Sequence, residues 1–135
     1  MWEEETVIQE GGQELKLQYA GTSSDGQVLG LKVMVRSGLF TGEHEFELHK
    51  SLVDEAAKSL AAMHRALQGK YEIHDGESAS YLWFEMYEGG HMEVRGVLTG
   101  RLTDRGYQEL FRFVLYTDQT TLPRMIEVLR EILVE

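Results

Sequence analysis

The chain has 135 residues, 42% of them hydrophobic, and carries 23 acidic against 13 basic side chains, a formal net charge of −10. That is the length of one ordinary domain with enough apolar material for a sizeable core, and the absence of cysteine excludes disulfides, thiol nucleophiles and cysteine-based zinc sites. The Met-Trp-Glu-Glu-Glu start lacks the basic and apolar regions of a signal peptide, and no apolar run approaches membrane-spanning length, so a soluble cytoplasmic protein is expected.

Thr6–Gln9 reads as a short strand and Gly11-Gly12 as a turn. Leu15, Leu17 and Tyr19 alternate with Lys16 and Gln18, the period of a half-buried strand. The stretch 21–26 (GTSSDG) is a loop that lacks the lysine of a phosphate-binding loop. Leu29, Leu31, Val33 and Val35 then mark a second alternating strand. A turn at Ser37-Gly38 leads into residues 39–48 and would set Lys32 opposite Glu43. In that strand Phe40, His44, Phe46 and Leu48 share one face, while Glu43, Glu45, Glu47 and His49 share the other. Three adjacent carboxylates are not buried without partners, so the second face is expected to be solvated or bound.

A first helix is expected over 51–68. Ser51 is the cap and Asp54 its capping-box partner, Leu52, Ala56, Leu60, Met63 and Leu67 form the apolar stripe, and Gly69 takes the left-handed closing position. After a short strand near 71–73 and a polar loop at 75–78, a hairpin joins 80–87 to 91–99. A three-residue loop Glu88-Gly89-Gly90 keeps Leu82, Phe84 and Met86 in phase with Met92, Val94 and Leu98. The other face then pairs Tyr81, Trp83, Glu85 and Tyr87 with Val97, Arg95, Glu93 and His91. Trp83 beside Arg95 is a cation–π pair, and Glu85 opposite Glu93 a like-charge one.

A last strand over 107–116 points Phe111, Phe113 and Leu115 inward. Pro123 confines the following helix, 120–134, to a cap at Thr120 or Thr121, and its stripe is Leu122, Met125, Ile126, Leu129, Ile132 and Leu133. Strand-then-helix therefore occurs twice: Ala56, Leu60, Met63 and Leu67 align with Leu122, Ile126, Leu129 and Leu133. The expected fold is α+β, mainly antiparallel sheet with two long helices in the order β(3-4)-α-β(3-4)-α. It is read as one domain over 1–135, with pseudo-repeats at 1–68 and 69–135.

The acidity is spread evenly: residues 1–67 hold 11 acids and 6 bases, residues 68–135 hold 12 and 7. Such a surface disfavours nucleic acid and attracts a basic partner. His44 and His49 are five residues apart, the wrong spacing for a zincin motif, and no nucleophile elbow, phosphate loop or dinucleotide fingerprint is present. No cofactor or metal is expected. Two readings remain: a non-enzymatic protein-binding module, or a small-ligand-binding or enzymatic protein using the Glu85/Glu93/His91 face. In the first, the contacts fall on Tyr81, Trp83, Glu85, Tyr87 and Glu93, or on Glu43, Glu45 and Glu47, and the chain is a monomer or homodimer. Whether the aromatic face is open, helix-covered or a dimer interface is left undecided by the pattern.

The aromatic strand 110–115 (LFRFVL), followed by 118–123 (DQTTLP) and a helix ending LREIL, resembles the WapI-type immunity proteins. The segment from Gly38 to Leu67, a glycine–aromatic entry to an alternating strand and then a helix, is similar to that family's central region. The resemblance implies an α+β protein without enzymatic activity that binds and neutralises a cognate contact-dependent toxin, often a nuclease. It carries over no partner-binding residues, because the shared motif ends a strand and caps a helix.

Overall fold

The computed structural model describes residues 2–135. Its elements are β1 (Glu5–Glu10), β2 (Gln13–Thr22), β3 (Val28–Ser37), β4 (Phe40–His49), α1 (Lys50–Ala66), β5 (Gly69–His74), β6 (Tyr81–Met86), β7 (His91–Leu102), β8 (Gln108–Asp118) and α2 (Leu122–Leu133). Strands β1–β4 form one antiparallel meander and β5–β8 a second, each followed by a helix, which is the expected α+β order.

Local chemistry accounts for most of these boundaries. Gly11 and Gly12 both take positive φ, 57° and 79°, so a two-residue turn of primed type joins β1 to β2. In the 21–26 stretch Gly21 and Thr22 still belong to β2. The turn beyond them is held by Asp25, whose carboxylate accepts from the Ser23 hydroxyl at 2.6 Å and the Gln27 N–H at 3.0 Å. The Glu88–Gly90 loop is a tight turn in which Gly89 and Gly90 take positive φ, 83° and 79°, and the β6–β7 register is the expected one: Phe84 faces Val94, Trp83 faces Arg95 and Glu85 faces Glu93.

Expectations at the β3–β4 turn and along α1 need correction. The β3–β4 turn is Gly38-Leu39, because Gly38 is the residue that adopts left-handed φ, 64°. The register therefore moves by two residues: Lys32 lies opposite Glu45, and its Nζ still reaches Glu43 diagonally at 3.2 Å. A slip of two preserves faces, so Phe46 and Leu48 remain buried, while Phe40 lies beyond the core and is 70% exposed. Helix α1 has no Ser51 cap. It starts at Lys50 directly from the strand, with no side-chain cap at His49, and Asp54 instead pairs with Lys58 at 2.8 Å. The left-handed residue that ends α1 is Leu67 (φ 54°), with Gly69 (φ 123°) already opening β5. The buried stripe of α1 is Val53, Ala56, Ala57, Leu60 and Met63, and Leu52 and Leu67 are exposed.

The stripe of α2 is as expected, with Leu122, Met125, Ile126, Leu129 and Ile132 buried and Leu133 partly so. Thr121 holds the cap position but makes no capping bond. Asp118 does that work, accepting from the Thr120 N–H at 2.9 Å before a 3-10 turn at Gln119–Thr121. The Thr120 hydroxyl and N–H hold the Asp118 carboxyl below its ordinary range.

The two helices pack on each other and on the inner faces of both sheets, in one continuous apolar cluster. Away from the helices the sheets meet directly. A Cβ on Gly42 of β4 would enter the ring of Phe111 on β8, and Phe111 stacks on Phe113 at 5.6 Å. Nearby, the Gln13 side-chain amide donates to the Tyr116 carbonyl at 3.0 Å and accepts from the Tyr116 N–H at 2.7 Å. That amide takes the place of a neighbouring strand for one residue of β8.

Candidate functional site

Because the helices cover the inner face of β5–β8, the alternation of β6 and β7 turns Tyr81, Trp83, Glu85, Glu93 and Arg95 to the opposite, outer face. Five of the residues expected to bind a partner are thereby brought together: Tyr81, Trp83, Glu85, Tyr87 and Glu93. Tyr81 and Trp83 are half-buried and Tyr87 is 40% exposed. The Trp83 ring lies between the Arg95 guanidinium at 5.6 Å and the Lys70 ammonium at 5.8 Å. Glu85 closes the group, accepting from Trp83 Nε1 at 3.0 Å and Arg95 Nη2 at 3.1 Å. Glu93 accepts from the Tyr87 hydroxyl at 3.0 Å. Burial, the Glu93 bond and the nearby Glu85 charge together push the Tyr87 phenol above its usual value. The like-charge Glu85–Glu93 pair is thus relieved because each carboxylate has its own donor.

Beside this group an open trough is lined by Trp83, Arg95, Arg112 and Val114. Arg112 is exposed and makes no ion pair or side-chain hydrogen bond among the described residues. His91 sits on the same outer face across from Asp118.

Glu43, Glu45 and Glu47 lie on the outer face of the other sheet and are exposed. They form a separate patch. Of the three, Glu43 is paired with Lys32.

One polar cluster escaped the sequence reading. His44 Nδ1 is 2.9 Å from the Thr99 carbonyl, and Nε2 is 2.8 Å from Asp75 Oδ2. The Ser78 hydroxyl donates to the same Asp75 oxygen at 2.6 Å and lies 3.2 Å from His44 Nε2. Asp75 Oδ1 accepts the N–H groups of Glu47 at 2.9 Å and Glu77 at 3.2 Å. Serine, histidine and aspartate together suggest a hydrolytic triad, but the geometry is wrong for one. A triad needs nucleophile and carboxylate on different ring nitrogens, and here both meet Nε2 while Nδ1 is held by a carbonyl. A carbonyl and a carboxylate only accept, so each ring nitrogen of His44 faces an acceptor. Asp75 is buried, which raises its pKa, but bonds from Ser78, the Glu47 N–H, His44 and the Glu77 N–H outweigh burial and leave it lowered. The cluster joins β4 to the β5–β6 loop and to β7.

Among the described residues no helix is long and apolar enough to cross a membrane, and no group of three His, Asp or Glu residues has metal-holding geometry. A search of curated proteins returns no match. The family described as immunity protein WapI-like matches residues 6–135, across both sheets and both helices. The chain belongs to the WapI-like immunity protein family.

Proposed function

We propose that this chain is a non-enzymatic cytoplasmic immunity protein that neutralises a cognate contact-dependent toxin by binding it with the outer face of β5–β8. Membership of an immunity family over residues 6–135 carries this reading. It is supported by an aromatic face that no helix covers among the described residues and by carboxylates already tied to internal donors, which suits docking better than proton transfer. Trp83 and Tyr81 serve as anchors, since large half-exposed aromatics dominate interface energies. Glu85 orients Trp83, and Glu93 orients Tyr87. The Glu43/Glu45/Glu47 patch and the net charge of −10 steer a basic toxin toward the protein. No cofactor, nucleic acid or membrane takes part.

The test is Trp83→Ala, measured against the product of a toxin gene found beside the gene for this chain. Affinity should fall by about 2 kcal/mol or more, as for an aromatic hot spot, with a nearly unchanged melting temperature. A variant that binds normally removes this face from the interface. A large loss of stability would make Trp83 a packing residue.

A further inference from the structure

The β8 edge of the second sheet leaves backbone hydrogen-bonding capacity unused. In β8 the N–H and C=O of Tyr116 both point away from β7, since both bond Gln13. The β7–β8 register is regular from Leu110 to Asp118, so Arg112 and Val114 point their backbone groups the same way. Neither has an intramolecular backbone partner on that side among the described residues. The opposite edge, β5, directs outward the backbone of Lys70, Glu72 and His74, polar residues of the kind that guard an edge from pairing. The open stretch of β8 instead carries Leu110 (55% exposed), the unpaired Arg112, and Val114 beside Trp83 in the trough.

We propose that an extended segment of the toxin adds to β8 as a fifth strand of this sheet. It bonds the outward N–H and C=O groups of Arg112 and Val114 and lays a carboxylate side chain against the Arg112 guanidinium. A second copy of the chain is the poorer occupant. A two-fold through this edge would bring together two molecules that each carry −10. This inference rests on the immunity reading and adds to it the element and chemistry the toxin presents.

Val114→Pro is the direct test, because it deletes the outward N–H while the ladder bonds to β7 are made by Phe113 and Leu115. Against the product of a toxin gene found beside the gene for this chain, Val114→Pro should weaken binding about tenfold or more, and Val114→Ala less than about threefold. In the wild-type complex the amide exchange of Arg112 and Val114 should slow relative to the free protein, a readout independent of how well the proline variant folds. Equal binding by a folded Val114→Pro, or unchanged exchange at both amides, overturns strand addition and leaves the immunity reading standing. A toxin that ignores the wild-type protein overturns both. A wild-type dimer that Val114→Pro converts to monomer assigns the edge to a second copy and also overturns the proposal.

Discussion

At Asp75 one carboxylate takes hydrogen bonds from the His44 ring and the Glu47 N–H of β4 and from Ser78 and Glu77 of its own loop. Asp75→Ala should destabilise the fold by about 1–3 kcal/mol, the cost of leaving buried donors without their acceptor. Urea unfolding at pH 7 measures it. The pH dependence has a definite sign. The folded-state pKa of Asp75 is lowered, so its contribution is complete above the unfolded carboxylate value of about 3.9 and drains as pH falls through the folded one. The stability gap between wild type and Asp75→Asn should therefore narrow below about pH 4. A gap that stays constant down to pH 2 excludes a charged Asp75 as its source. None of this was legible in the sequence. His44 showed as half of a failed metal spacing and as a member of a strand's apolar face, and Asp75 as part of a polar loop 31 residues away. Pairings of that separation leave no periodic trace. Trp83 and Arg95 were legible because a hairpin with a short loop fixes its cross-strand pairs locally.

Among the elements, β6–β7 and α2 could be read because burial, alternation and turn residues agreed. The β3–β4 turn and the start of α1 could not. At the first, two adjacent two-residue turns preserved the same faces, and only the φ of Gly38 chose between them. At the second, strand β4 runs straight into helix, so a good capping sequence at Ser51 found itself already inside the helix. How the sheets face each other was also hidden. Gly42 resembles any strand glycine until Phe111 is seen occupying the space its side chain would fill. Gly42→Ala should cost about 1–3 kcal/mol, the range for overpacking a close contact. The same substitution at Gly38 acts through φ alone, with nothing within 4 Å of the added carbon. A neutral Gly42→Ala in thermal unfolding means the two sheets separate easily at this point.

For the whole molecule, repetition of topology does not imply two independent halves. Leu15 and Leu31 of the first sheet, Leu82 and Val94 of the second, and Leu60 and Leu129 of the helices belong to one apolar cluster. The chain is expected to unfold in a single transition, with fluorescence and far-ultraviolet circular dichroism giving the same midpoint. Two separated transitions would assign residues 1–68 and 69–135 to separate folding units.

The Gln13 amide also sets an order in time. Its partner lies 103 residues further along the chain, so during synthesis the N-terminal meander is complete long before Tyr116 leaves the ribosome. Closing so long a loop costs only slightly more entropy than closing one half its length, since the cost grows with the logarithm of loop size. The delay comes from waiting for the last strand. This clasp therefore belongs to the end of folding, and until it forms the edge of β8 at Tyr116 is as open as the stretch beside it.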